Sequence, residues 1–161
     1  ELVVNADLFE AIEAGVIKKY ITDFGNEEVL NKENIIVFPH VGGSTEEAEL
    51  NCAIAAGQTI RRFMETGEII NSVNFPNMKQ FLDAPYRITL INKNVPNIVA
   101  SITTAVSELE INIDNIINRS KGNYAYTLLD LDESDETKIA KLVEKFKATD
   151  AITKVRVIKH K

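Results

Sequence analysis

Of the two histidines in this 161-residue chain, His40 is the one placed to do chemistry. It follows the β-branched run Asn34-Ile35-Ile36-Val37-Phe38, within Pro39-His40-Val41-Gly42-Gly43-Ser44-Thr45-Glu46-Glu47-Ala48. An imidazole titrates near neutrality, so it can take or give a proton at working pH. The C-terminal end of a strand is where open α/β sheets present such groups. Gly42 and Gly43 let the backbone pass close to a ligand or take a positive φ. Ser44-x-x-Glu47 reads as a capping box, in which each side chain satisfies the other residue's N–H at a helix start. The same pattern also fits a strand-end histidine bonded only to backbone. His160 lies in a Lys-rich tail and reads as solvated.

Composition bounds the function classes. The chain is 45% hydrophobic and 26% charged, an ordinary globular balance. A net charge of −6 argues against a nucleic-acid partner. Residues 1–80 carry 6 Lys and Arg against 13 Asp and Glu, whereas residues 81–161 carry 12 against 11, which marks two segments of different character. Cys52 is the lone cysteine, so no intrachain disulfide is expected and a reducing, cytoplasmic setting fits. No apolar run is long enough to span a membrane. No metal-ligand set is read from the sequence. The chain enters structure almost at Glu1, without a Met, and is expected to be an excised fragment.

The elements that must position His40 come from the first half. Glu1-Leu2-Val3-Val4 reads as a short strand or its tail. Asn5 is a good N-cap for a helix from Ala6 to Ala14 with Leu8, Phe9 and Ile12 on one face, ended by Gly15. Tyr20-Ile21-Thr22 favours strand. Gly25-Asn26-Glu27-Glu28 is a turn, and Ile35–Phe38 is the next strand. This is the pattern of the last third of an open parallel sheet, with no G-x-G-x-x-G before it. A helix is expected over Thr45–Thr66, with Ala53, Ala56, Gly57, Ile60, Phe63 and Met64 forming its apolar face. After Gly67, Ile69–Pro76 reads as extended and 77–84 as a linker.

The second half reads β-α-β-β-α-β. Tyr86, Ile88 and Leu90 alternate with Arg87 and Thr89. Ile98, Ile102, Ala105, Val106 and Leu109 share one helical face. Strands over Ile111–Arg119 and Tyr124–Leu131 are joined by Lys121-Gly122-Asn123. A helix with Ile139, Leu142, Val143 and Phe146 on one face follows the capping run Asp132–Asp135. A last strand covers Ala151–Lys159. Two helices are then expected on one face of a four-stranded antiparallel sheet, with the other face solvated or used for association. The expected fold class is α/β: a truncated tail of a Rossmann-like parallel domain plus a long helix, followed by a ferredoxin-like βαββαβ unit. The expected boundaries are 1–43, 44–80 and 81–161.

The stretch Pro39–Ala48 resembles the signature around the catalytic histidine of the D-isomer-specific 2-hydroxyacid dehydrogenases. Val73-Asn74-Phe75-Pro76 resembles the return segment of that family's D-3-phosphoglycerate dehydrogenase branch, and residues 86–159 resemble an ACT domain. The resemblance implies an NAD-dependent oxidoreductase of serine biosynthesis, taking 3-phosphoglycerate to 3-phosphohydroxypyruvate. It implies His40 as acid/base, with Glu27 as its carboxylate partner three residues after Phe24. Glu28 is the alternative, and both also read as a solvated acidic turn. It places His40, Val41, Gly42, Gly43 and Asp23 near the nicotinamide, with Thr22 standing where the family's aspartate is usual. The glycine-rich loop and substrate arginine have no match here, so neither turnover nor firm NAD binding is expected of this stretch alone. For the ACT segment the resemblance implies a homodimer or higher oligomer with an L-serine effector held by Asn92, Asn94 and Asn112. Those asparagines read equally as turn and cap formers. Asn97 replaces the usual turn glycine and can still adopt a left-handed backbone. The ACT unit acting only as a dimerisation module is the alternative.

Overall fold

The computed structural model describes residues 2–160. The chain divides into two compact units, one ending at Ile54 and one beginning at Ala55.

In the first unit, α1 (Asn5–Glu13) buries Leu8 and is C-capped by Ala14, after which Gly15 turns the chain at a left-handed φ of 72°. Asn5 does not cap this helix. Val4 occupies the cap position without a side-chain bond, and the Asn5 amide instead donates to Glu28 Oε2 at 2.6 Å. Leu2–Val4 form no strand, and Glu1 lies outside the described residues. Strands β1 (Tyr20–Thr22) and β2 (Ile35–Val37) pair in parallel, Thr22 opposite Val37, and Phe38 N–H extends the ladder to Thr22 O. The parallel register sets the residues after Thr22 and after Val37 side by side at the C-terminal ends of the two strands.

Helix α2 runs Glu46–Thr66. The capping box is displaced by one residue from the expected Ser44-x-x-Glu47. Thr45 Oγ1 accepts from Ala48 N–H at 3.2 Å, and residue 48 has no carboxylate to complete the pair. None of its residues is buried, so Ala53, Ala56 and Gly57 are an exposed face among the described residues.

The second unit is built on a sheet in the order β4-β5-β3-β6, all antiparallel. Its strands are β3 (Tyr86–Lys93), β4 (Asn112–Lys121), β5 (Tyr124–Asp132) and β6 (Ile152–Lys159). Helices α3 (Ile98–Ser107) and α4 (Glu136–Lys147) cover one face, as the periodicity requires. Tyr86, Ile88, Leu90, Leu129 and Leu131 from the sheet meet Ile102, Val106, Leu142 and Phe146 from the helices. Asn97 takes the left-handed conformation at φ 66° before α3, and Asp135 caps α4 by accepting from Thr137 N–H.

The other sheet face is neither solvated nor left for association. Residues 67–82 lie across it as a strap. The expected extended segment folds back on itself, with Ile69 and Met78 exchanging both backbone hydrogen bonds. Ile69 and Met78 pack on Tyr126 and Leu128, with the Phe75 ring tilted against that of Tyr126 at 5.7 Å between centroids. The expected linker over 77–84 is packed structure: Met78, Leu82 and Ala84 are buried.

Candidate functional site

His40 follows β2 and Asp23 follows β1, so the parallel pairing brings them together. His40 Nδ1 lies 3.0 Å from Asp23 Oδ2, and the Phe24 ring meets the imidazole edge-on at 5.8 Å between centroids. Thr22 Oγ1 accepts from Phe24 N–H and shapes the turn that presents Asp23. Val41 O accepts from Ser44 N–H, which closes the turn through Gly42 and Gly43. A carboxylate on Nδ1 selects the tautomer with its proton there and leaves Nε2 as the free acceptor. The pair can therefore remove a proton from a substrate hydroxyl and hold the resulting imidazolium.

The carboxylate is not the one expected. Neither Glu27 nor Glu28 pairs with His40 among the described residues. Glu28 is bonded to Asn5, and both side chains stand in the exposed turn. Asp23, expected near a nicotinamide, is the residue on the imidazole. The reason is geometric: Asp23 is one residue beyond β1, at the level of the His40 loop, whereas Glu27 lies beyond the Gly25-Asn26 turn. A dinucleotide would need more wall than is present. A Cβ added at Gly42 or at Gly43 would meet nothing within 4 Å, so this turn is open and cradles nothing by itself. The described residues thus do not fit NAD as a complete site.

The three effector candidates separate. Asn92, at the C-terminal end of β3, is fully buried and its amide is spent internally. Its Nδ2 donates to Lys93 O at 3.0 Å, its Oδ1 accepts from Thr127 Oγ1 at 3.1 Å, and Asn118 Nδ2 donates to Thr127 Oγ1 at 2.7 Å. Asn94 is exposed and ties the β3 loop to the hairpin, through Nδ2 to Gly122 O and N–H to Asn123 O. Asn112 is exposed at the start of β4, opposite Asp132. Register places it at the Tyr86 end of the sheet, and Asn94 at the other. One ligand cannot touch both asparagines within one chain.

What sequence reading missed is a buried ion pair on the strapped face. Arg87 and Asp130 face each other across β3 and β5, with Nε to Oδ1 at 2.5 Å and Nη2 to Oδ2 at 2.7 Å, both residues essentially inaccessible. Opposite charges at registered positions inside apolar strands were the available signal.

Comparison with known proteins follows these two halves. Residues 83–156 match the family model described as ACT domain. D-3-phosphoglycerate dehydrogenase 2 of Saccharomyces cerevisiae is 30% identical over 136 residues, which cover 81% of this chain and 29% of the relative. D-3-phosphoglycerate dehydrogenase of Escherichia coli is 25% identical over 126 residues, 78% of this chain and 30% of the relative. A putative D-3-phosphoglycerate dehydrogenase of Schizosaccharomyces pombe is 28% identical, covering 88% and 32%. The chain thus spans about three-tenths of the length of the curated relatives it matches. Among solved structures, the ACT domain from GTP pyrophosphokinase of Chlorobium tepidum superposes with a TM-score of 0.42 at 18% identity, covering 45% of this chain and 95% of that one. Residues 83–156 are an ACT domain on an α/β fold, in a chain similar over most of its length to D-3-phosphoglycerate dehydrogenases. Among the described residues no helix is long and apolar enough to cross a membrane.

Proposed function

We infer that this chain is the C-terminal portion of a D-3-phosphoglycerate dehydrogenase, a cytoplasmic NAD-dependent enzyme oxidising 3-phosphoglycerate to 3-phosphohydroxypyruvate, with its ACT domain as the regulatory and dimerising part. The observation that carries this reading is the His40–Asp23 pair at the ends of two parallel strands, in the same chain as an ACT domain. NAD supplies hydride acceptance in the longer enzyme. The residues here supply the proton step: His40 Nε2 takes the proton of the 2-hydroxyl while Asp23 holds the ring and stabilises its charge. The 161 residues alone turn nothing over. The test is steady-state kinetics of the full-length enzyme with 3-phosphoglycerate and NAD. His40→Asn is expected to lower kcat by about 10²–10⁴-fold, the usual worth of general acid–base catalysis. An unchanged kcat overturns the assignment.

For the ACT domain, L-serine is the proposed effector and a two-fold dimer the proposed frame. Both sheet faces are covered, so only the edges remain. The β6 edge carries Lys154, Arg156 and Lys159, the kind of charge that blocks edge pairing. The β4 edge carries Ile113, Ile116 and Ile117 and is the better candidate. Antiparallel pairing of two β4 edges reverses the strand ends, and so brings Asn112 of one copy toward Asn94 of the other. Light scattering is expected to give a dimer, and calorimetry to detect serine; a monomer overturns the frame. One observation favours the plainer reading, dimerisation without serine: Asn92 is fully buried, with Nδ2 and Oδ1 each already bonded inside the sheet. A serine-blind dimer would establish that reading.

A further inference from the structure

Side chains from all four strands of the ACT sheet reach through its second face and end on main-chain carbonyls of residues 63–81. From β3, Arg87 Nη1 donates to Thr66 O at 2.8 Å and Gln80 O at 2.9 Å, and its Nη2 to Phe81 O at 3.1 Å. From β4, Arg119 reaches Asn77 O and Lys121 reaches Val73 O. From β5, the Tyr126 hydroxyl donates to Gly67 O at 2.8 Å. From β6, Arg156 donates to Phe63 O and Met64 O while its guanidinium stacks 5.2 Å from the Phe63 ring. The last carbonyls of a helix need partners, and the last turn of α2 holds no basic residue. The sheet itself therefore supplies the C-cap of α2.

The character of these bonds separates holding from mere stability. A buried ion pair such as Arg87–Asp130 is weak evidence for stability, because desolvation offsets much of the attraction. Its effect here is to aim a rigid planar fork, with Asp130 fixing one side while the remaining N–H groups face the strap. Carbonyl acceptors carry no sequence information, so the contacts fix the path of the backbone. The strands involved are also those of the proposed effector site. β3 carries Arg87 and leads into Asn94, and β4 runs from Asn112 to Arg119 and Lys121. A ligand that shifts either strand must move donors attached to the end of α2, whose first residue stands six positions after His40.

We propose that this clasp couples the state of the ACT sheet to the enzyme, with Arg87 and Arg156 as positioning residues that set the C-terminal turn of α2. The proposal rests on the reading of the ACT domain as a serine sensor in a dehydrogenase. The test uses the full-length enzyme and two measurements, serine affinity by calorimetry and inhibition of turnover by serine. Arg156→Ala alters a half-buried side chain on an edge strand and Lys121→Ala an exposed one, both outside the hydrophobic core. Arg156→Ala is expected to keep the uninhibited kcat and to bind serine within about threefold of the parent, while the serine concentration giving half-inhibition rises at least tenfold. Lys121→Ala shifts it in the same direction, and Arg156→Lys, which keeps one donor, restores part of the response. Unchanged inhibition in both alanine variants overturns the clasp and leaves the sensor reading standing. A parallel loss of affinity and inhibition also overturns it, since the residues would then act on binding. A parent enzyme that binds no serine instead removes the sensor reading and the coupling with it.

Discussion

Gly67 and Gly122 share a left-handed backbone, at φ 71° and 61°, but differ in what surrounds them. A Cβ on Gly67 would stand 2.5 Å from Thr89 Cγ2 and 3.0 Å from Ile158 Cδ1, whereas one on Gly122 would meet nothing within 4 Å. Both alanine variants bear the conformational cost, about 1–2 kcal/mol for a left-handed residue with a side chain. Only Gly67→Ala adds a collision with the sheet, where closely packed atoms cannot yield without cost. Urea unfolding is expected to show a loss of about 1 kcal/mol for Gly122→Ala and at least about twice that for Gly67→Ala. Equal losses would mean that residue 67 is not held against the sheet. At this scale the sequence announces some sites and conceals others. His40 was legible because its neighbours form a signature, and the left-handed Asn97 because asparagine is one of the few residues that tolerate that backbone. Asp23 as the partner of His40 was not legible, since the choice among nearby carboxylates depends on where two strand ends stop. The internal use of Asn92 was concealed for a related reason: an amide beside a turn looks the same whether it faces solvent or a buried threonine.

Secondary-structure elements were legible where one periodicity governs a run. The six elements from β3 to β6 follow from alternating or helical apolar spacing, and their packing on one face follows from the same residues. The strap was not legible, because it binds through backbone carbonyls and a few apolar residues with no period. Alternation places Arg87 and Thr89 on the sheet face expected to be solvated or used for association, and that expectation fails because residues 67–82 cover the face. Caps were partly legible, and α4 gives a testable case. Glu133 accepts from Asp135 N–H at 2.9 Å and Ser134 N–H at 2.8 Å, and Lys138 stands 3.0 Å away. The Asp135 N–H bond, then Lys138, hold its carboxyl below the ordinary glutamate range. Because the folded-state value is depressed, the stabilisation is present above the unfolded value and is lost as pH falls through the folded one. Glu133→Gln keeps an acceptor but no charge. It is expected to lower the urea midpoint at neutral pH and to flatten the decline between neutral pH and the acid side of the glutamate range. A variant with the same acid slope as the parent would show that the carboxyl does not act on α4.

The whole molecule is unevenly built, and that has a measurable consequence. In the unit that begins at Ala55, the ACT sheet buries side chains on both faces, under helices on one side and the strap on the other. In residues 2–54 the buried hydrophobic side chains are Leu8 and Val29, while Ile21, Ile36 and Phe38, on or beside the two short strands, remain substantially exposed. A two-stranded parallel pair with so little covered surface cannot offset the entropy of ordering its chain to the same degree. The composition already hinted at this division through the acidic first half and the balanced second. Size alone did not reveal that the second unit reaches back to include the strap and the end of α2. Backbone amides open locally with free energies that track such burial. Hydrogen exchange followed by mass spectrometry on the 161-residue chain is therefore expected to show β1 and β2 exchanging orders of magnitude faster than β3 and β5. The strap around Ile69 and Met78 should be protected with the sheet, because its backbone bonds and side chains belong to that core. Protection of β1 and β2 equal to that of β3 would require a stabilising surface for residues 2–54 beyond the one their own side chains provide. Fast exchange at Ile69 and Met78 would detach the strap from the sheet, and with it the basis for the clasp on α2.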